Sequence, residues 1–285
     1  MEKDNIPYIL EETADFAVVF KPPKMHCTSN KQKLIKTKEN TLYDWYADQS
    51  PCFDIMHRLD YETHGLVLFA KNEKSFNFFK DLQDKGEFVK EYSAICVPTD
   101  NNISNNGFPE YIKNYHGVHR VSRRNEKKCD QELCVSPCPP WFNSILPSLE
   151  NPFVIESYFR PYGPGRKLVR PVIEDGKKHK EIAKDKGNHY RTEIINIDGN
   201  VFTVRIKRGF RHQIRCHLCW VGFPILNDPL YSFDVQGILA LRAHKLLFID
   251  PAAGNLREYG IKPLNSSCLM PPLQRQKDLP APQVK

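Results

Sequence analysis

Residues 56–71, Met-His-Arg-Leu-Asp-Tyr-Glu-Thr-His-Gly-Leu-Val-Leu-Phe-Ala-Lys, join a polar knot to a wholly apolar run, Gly65 to Ala70. Asp60 sits in that knot beside a strand start, with His57, Arg58 and Glu62 close in sequence. A carboxylate there can act as a nucleophile or base only while it is ionised. In an apolar pocket its pKa would rise and its reactivity fall unless a cation lay beside it. An aspartate ahead of a buried strand is also a common turn or capping residue, and the residues alone leave both readings open. Glu62 is the one close candidate for the second carboxylate that a hydrolytic glycosidase or nucleosidase places across its scissile bond. His57, His212 and His217 could be acid–base groups, or simply hydrogen-bonding supports for a site; no ligand spacing connects them to a metal. Cys129-x4-Cys134-x3-Cys138 and Cys216-x2-Cys219 likewise miss the paired spacing of a zinc knuckle, so no metal is expected.

The elements that must position these groups can be read from pattern. Phe16 to Phe20 forms a strand stopped by Pro22 and Pro23, which fix φ and remove donors. Asn72 caps a helix with Phe76, Phe79 and Leu82 on one face, and Gly86 ends it. The stretch Glu87 to Val97 reads as a strand that puts Lys90 and Tyr92 on one face. Two β-rich runs around Asp198-Gly199 form a tight hairpin in which Phe202, Val204 and Ile206 alternate with Thr203 and Arg205. Ile214, Leu218 and Val221 recur at helical spacing with Gly222 as a stop, and that spacing points Arg211 and Arg215 the same way. Strands, helices and hairpins intermixed argue for an α+β protein with a largely antiparallel sheet.

Composition bounds the partners. The chain has 285 residues and is 40% hydrophobic, enough for a real core. No apolar stretch approaches the ~18 residues of a membrane helix, and the N-terminus carries no targeting pattern, so a cytoplasmic protein without membrane association is expected. Nine scattered cysteines, an odd number, fit free thiols in a reducing compartment. The net charge of +7 is concentrated: Lys113 to Lys128 holds six Lys/Arg against one Glu, and Arg160 to Gly187 holds nine against four acids. Such clusters suit a polyanionic partner, since neutralising phosphates releases counterions; they also suit solvated loops. Residues 31–40 read as a lysine-rich surface segment, 99–152 as a long loop insertion within one domain spanning 1–262, and 263–285 as a loosely ordered tail.

At this point the residues resemble a family. His57 to Lys71 is similar to the His-Arg-Leu-Asp-x-x-Thr-Ser-Gly-Leu-Leu-Leu-Phe-Ala-Lys motif of RluA-type pseudouridine synthases. Val18 to Cys27 resembles their first strand and Lys-Pro turn, and Val89 to Cys96 their Lys-x-Tyr strand. Gly209 to Tyr231 resembles their Gly-Arg-Thr-His-Gln-Ile-Arg segment with the Pro-Ile-x-Gly-Asp-x-x-Tyr that follows, and Leu241 to Pro251 their closing strand. The blocks run in family order from about Ile9 to Pro251. Because they begin so early, the small N-terminal S4 domain of many relatives is expected to be absent.

The resemblance implies the pseudouridine synthase catalytic fold, a mixed and mainly antiparallel central sheet flanked by helices and loops. It implies isomerisation of a uridine to pseudouridine in ribosomal or transfer RNA, with no cofactor, by a monomer. Asp60 matches the catalytic aspartate, and Arg215 the cation that keeps it charged. Family mechanisms differ on whether the aspartate attacks C1′, adds to the base or removes the 2′ proton, and all need it ionised. Tyr92 matches the aromatic that packs on the flipped base, a contact worth ~1–3 kcal/mol. Arg58 matches a residue that fills the gap left in the RNA, and Ile214 an apolar wall; His57, His212 and Arg211 are expected around the substrate. His64, Phe210-Arg211 and Asn227 depart from the Ser, Arg-Thr and Gly of the pattern. Residues 158–172 resemble a stretch found in some relatives. An RNA-binding or assembly factor on the same scaffold, or a hydrolytic nucleosidase, remains the competing reading.

Overall fold

Strand β2 (Phe16–Lys21) and strand β4 (His64–Ala70) are buried at every residue, which is why both read as unbroken apolar runs and not as alternation. The computed structural model describes residues 2–28, 41–97, 153–162, 166–172, 189–232 and 235–265. The lysine-rich segment, the loop insertion with its basic cluster and its Cys129, Cys134 and Cys138 fall outside them. Phe16, Val18, Leu66 and Leu68 face one core, shared with Phe79 and Leu82 of helix α2 (Glu73–Lys85). Ala17, Val19, Val67 and Phe69 face a second core on the opposite side of the sheet.

Helix α2 forms where the sequence predicts it. Asn72 Oδ1 accepts the Ser75 N–H at 2.9 Å, and Gly86 closes the helix at φ 73°. A short helix α1 (Leu42–Ala47), unassigned from pattern, is started by a Thr41–Asp44 capping box.

The remaining strands are β1 (Tyr8–Glu12), β3 (Asp54–Ile55), β5 (Val89–Ile95), β6 (Phe153–Tyr162), β7 (Leu168–Val172), β8 (Tyr190–Asp198), β9 (Val201–Ile206), β10 (Leu241–Ile249) and β11 (Leu256–Gly260). Among the described residues they form one mixed sheet in the order β1-β2-β4-β10-β5-β9-β8-β6-β7, with β11 on β10 and β3 on β4. Every pairing is antiparallel except β4 with β10. The expected α+β architecture with a mainly antiparallel sheet is therefore present. No helix among the described residues is long and apolar enough to cross a membrane.

The β8–β9 hairpin sits one residue later than Asp198-Gly199 suggests: Asp198 pairs with Val201, and Gly199-Asn200 is the loop. Gly199 supplies the positive φ, 58°, that the first loop position demands. The β6–β7 hairpin carries Pro161 and Pro171 in its ladder, which masks its strand character in the sequence. Pro171 is tolerated because β7 ends the sheet order among the described residues. The chain stays packed beyond Lys262, since Leu264 is buried and its N–H donates to Ser93 Oγ at 2.9 Å; residues 266–285 lie outside the described chain.

Gly65 marks the point where β4 meets β10 in parallel. Its φ is 127°, and a Cβ there would come within 2.2 Å of the Ala243 carbonyl oxygen and 2.6 Å of its nitrogen. Both contacts are backbone and cannot yield. Gly65→Ala is therefore expected to lower stability by about 3 kcal/mol or more, beyond ordinary overpacking; a urea midpoint equal to that of the wild type would contradict this packing.

Candidate active site

Helix α3 (Gln213–Trp220) and the loop from Met56 to Thr63, which enters β4, converge over the sheet. The helix is buried at seven of its positions, Arg215 included. His212 precedes it at φ 57° and makes no capping bond. The Gln213 side chain instead accepts the Phe210 N–H at 2.9 Å and donates to the Arg191 carbonyl and Thr192 Oγ1, each at 3.0 Å. His217, one turn on, is fixed between Ser157 Oγ (2.9 Å) and Thr192 Oγ1 (2.8 Å). These contacts set the rotation of α3 on β6 and β8, and so aim Arg215.

Arg215, 2% exposed, presents its fork to two carboxylates. Nε and Nη2 donate to Asp228 Oδ2 and Oδ1 at 2.8 and 2.7 Å, and Nη1 donates to Asp60 Oδ2 at 3.2 Å. Asp228 is wholly buried and also accepts the Leu230 and Tyr231 N–H groups at 2.8 and 3.1 Å. Burial disfavours the guanidinium charge, but hydrogen bonding and Coulombic attraction from Asp228, then attraction from Asp60, outweigh it and raise the Arg215 pKa. The side chain of Asp60 keeps 22% of its surface exposed. One carboxylate is thus locked and the other still faces the cleft.

The loop bearing Asp60 is held by unlike partners. Gln83 Nε2 donates to the Met56 carbonyl at 2.7 Å, the Leu59 N–H donates to Cys27 Sγ at 3.2 Å, and the Thr63 N–H donates to the Asp60 carbonyl at 3.1 Å. Lys21, fully buried, donates from Nζ to the carbonyls of Pro22 (2.9 Å), Met25 (2.8 Å) and Tyr61 (3.3 Å). Burial lowers its pKa to about 8, against the pull of Cys27, Asp60 and Glu62.

A cleft of about 1700 Å³ opens over these groups. Asp60, Tyr92, Arg215, Arg58, Ile214 and His57 line it, as do His212 and Arg211, so the residues the resemblance assigns to the site reach the same cavity, whereas His217 is buried behind it. Tyr92 is buried in its wall; desolvation, then the Asp60 charge, raises its pKa and keeps it a phenol. Lys90 shares that face, as the strand pattern predicts, and donates to the Lys207 carbonyl at 3.0 Å, with burial lowering its pKa to about 8. Arg58 is exposed at the edge. His57 packs its ring edge against Phe88 and has neither nitrogen hydrogen-bonded. Burial pushes its pKa down to about 3 with help from Lys90, while the nearby Leu66 backbone works in the opposite direction without completing a bond. Cys216 and Cys219 are free thiols that donate to the Val169 and Tyr231 carbonyls at 3.4 and 3.3 Å.

One expectation needs correction. Arg211 does not share a helix face with Arg215, because α3 begins only at Gln213 after the left-handed turn at His212. Its Nη2 donates to the Arg166 and Leu168 carbonyls at 2.7 and 3.4 Å, tying the cleft edge to the β6–β7 hairpin. Three further contributors had no role assigned from sequence: Asp228, Lys21 and Tyr231. Tyr231 lies under the Arg215 guanidinium at 5.5 Å, and its hydroxyl bonds both the N–H and the carbonyl of Val169, at 3.0 and 3.2 Å, and His212 Nδ1 at 3.2 Å. Their signal lay in the quoted blocks, but nothing in spacing shows that Asp228 folds back onto Arg215.

The departures from pattern find local reasons. Asn227 takes the positive φ of 59° that a glycine would, and its amide accepts the Gln236 N–H (3.1 Å) and donates to the Ile238 carbonyl (3.2 Å). Phe210 stacks on Phe159 with centroids 5.0 Å apart and planes 8° from parallel. His64 is buried where β4 meets β10, its pKa pushed by burial to about 3.

With the geometry in place, comparison with known proteins gives a consistent result. Residues 15–220 match the family model described as RNA pseudouridylate synthase. The chain is 25% identical over 226 residues to ribosomal large subunit pseudouridine synthase D of Buchnera aphidicola, covering 78% of this chain and 53% of that protein. It is 26% identical over 187 residues to the mitochondrial tRNA pseudouridine(32) synthase of Saccharomyces cerevisiae, covering 65% of this chain and 28% of that one. It therefore spans about half the length, or less, of these curated relatives. Human RNA pseudouridylate synthase domain containing 1 shares the fold, with a TM-score of 0.56, 16% identity and 98% of both chains covered.

Two outcomes test these electrostatics. Asp228→Ala strands a buried guanidinium and is expected to cost about 3–5 kcal/mol in urea unfolding, whereas Asp60→Ala, at the open end, costs far less; equal losses would contradict the locked pair. His57, His64 and His217 each have a pKa near 3 in the fold, against an ordinary 6.5. Between those values the unfolded chain binds more protons, so stability falls as pH drops from about 6.5, by up to about 1.4 kcal/mol per pH unit for each. Urea midpoints unchanged between pH 7 and pH 5 would show that these imidazoles are not buried neutral.

Proposed function

Because this chain belongs to the RNA pseudouridylate synthase family, RluA type, we propose that it converts a specific uridine to pseudouridine in ribosomal or transfer RNA, with Asp60 as the catalytic carboxylate. The N1–C1′ bond of the nucleotide breaks, the base turns, a C5–C1′ bond forms, and the proton lost from C5 is balanced by one gained at N1. Atoms and electrons balance within the nucleotide, so no cofactor is needed. The observation that carries the reading is the 3.2 Å contact between Arg215 and Asp60, residues 155 positions apart, in a cleft that also holds Tyr92 and Arg58.

The proposed roles draw on the placement of these residues. A uridine within folded RNA must leave its stack to reach a carboxylate inside a cleft. Tyr92 offers it an aromatic wall and Ile214 an apolar one. Arg58, exposed at the cleft edge, would enter the gap the nucleotide leaves, where a planar guanidinium can stack or hydrogen-bond. Arg215 supplies positive charge beside Asp60 without competing for substrate, since Asp228 occupies its other edge. The basic sequence clusters would meet the phosphates.

The hydrolytic alternative has less support. It needs a second carboxylate free to act on water or a leaving group, and both Asp228 oxygens already accept hydrogen bonds. Glu62 lines the cleft but has no partner that would set it across from Asp60 among the described contacts.

The test is pseudouridine mapping across total RNA from cells lacking the gene, restored with wild type or Asp60→Ala. A site that returns with the wild type alone, with RNA mass unchanged and mutant binding weakened no more than a few-fold, is the expected outcome. Restoration by Asp60→Ala would overturn the role of that residue, and loss of base mass would favour hydrolysis.

A further inference from the structure

Two aromatic rings beside Asp60 are left unused by this scheme. Tyr61, the residue immediately after the catalytic aspartate, is 42% exposed and lines the cleft. His26, also exposed, lies against it with ring centroids 4.6 Å apart and an interplanar angle of 40°. An exposed tyrosine singly placed needs no explanation, but this pair is carried on backbone that hydrogen bonds hold. Buried Lys21 donates at once to the Met25 carbonyl, just before His26, and to the Tyr61 carbonyl itself. The His26 carbonyl accepts the Leu42 N–H at 2.9 Å at the start of α1, and Cys27 beside it is bonded to Leu59. Both backbones that carry the rings are therefore fixed on either side, while the rings themselves face the opening.

Tyr92 and the Tyr61–His26 pair differ in where a base could meet them. Tyr92 is buried, so it can contact only a base that has entered the cleft. Tyr61 stands at the mouth, one residue from Asp60. A base at that position would lie outside the pocket that Tyr92 walls, where a nucleotide next to the one undergoing reaction would bring it. Pre-ordered aromatic surfaces bind unpaired bases through their π faces, with little dependence on base identity, and RNA sites of this kind are recognised through splayed-out, stacked bases.

We infer that Tyr61 and His26 form a stacking platform for an unpaired base adjacent to the target uridine. The inference rests on the RNA-modifying reading of the cleft and adds to it a requirement on the substrate: a neighbour of the uridine is unstacked from the RNA and lies on this platform. A loop or single-stranded target satisfies that requirement, and a uridine flanked by continuous helix does not.

The experiment uses a fluorescein-labelled single-stranded RNA, AAAUAAA, and two versions with an abasic nucleotide on the 5′ or the 3′ side of the uridine. Affinities are read by anisotropy at one fixed salt concentration. For the wild type, one abasic version should bind on the order of tenfold more weakly than the intact RNA, in keeping with the loss of one stacked base. Tyr61→Ala and His26→Ala should lose a similar factor on the intact RNA and nothing further on that abasic version, while Tyr61→Phe binds as the wild type does. Weakening that is equal on intact and abasic RNAs, no weakening in either variant, or a wild type that binds none of the three would overturn the platform. The pseudouridine mapping separates this result from the broader reading: modification without the abasic coupling removes the platform alone, and coupling without modification removes the isomerase assignment alone.

Discussion

The side-on grip of Asp228 on Arg215 is the contact on which the arrangement of the cleft depends. A guanidinium offers five N–H donors in a rigid plane. Taking Nε and Nη2 with one carboxylate fixes the plane of the group, and Nη1 in that plane then reaches Asp60. Asp228 can hold this geometry because its Oδ1 is fixed by both the Leu230 and the Tyr231 N–H groups. Burying such charges is costly unless each is paired and hydrogen-bonded, and here each is. The cost of an immobile cation is met within the pair, so Asp60 receives its influence without having to be buried itself.

Around that pair, irregular backbone is held by side chains in place of strand ladders. A buried loop leaves carbonyls and N–H groups that must find partners. Lys21, Gln83 and Cys27 supply them, from β2, α2 and the turn after β2 respectively. The fully buried strands β2 and β4 provide a rigid base for this network, and Gly65 lets β10 approach β4 closely enough to place β5, with Tyr92, on the far side. The Tyr231 hydroxyl extends the same network to β7 through Val169, so the β6–β7 hairpin is mechanically connected to the ion pair.

The places where the chain leaves its family pattern lie next to this network and keep its geometry. Asn227 retains a left-handed backbone just before Asp228 and adds two hydrogen bonds to the following loop. Phe210 exchanges a charged group for ring stacking on Phe159 of the hairpin. Phe210 lines the cleft and Asn227 adjoins Asp228, and the contacts joining Asp60, Arg215 and Asp228 form beside both.

The sequence by itself determined the strands and helices whose signals are local: the unbroken apolar run of β4, the Asn72 and Gly86 ends of α2, and the alternation along β9. It also singled out Asp60, Tyr92 and Arg215, which line one cleft, because the motif blocks that contain them are long and ordered. Only the tertiary structure decided that Asp228 aims Arg215, that Lys21 clamps two separate segments, that Arg211 turns away from the helix, and that Tyr61 meets His26. These are contacts between residues far apart in the chain, set by side-chain direction and burial. Helical spacing put Arg211 and Arg215 on one helix face because it assumed one continuous turn, which the left-handed residue at His212 breaks, although both still line the cleft. Periodicity records which face of an element is buried, and it contains no information on what a buried charge will find there.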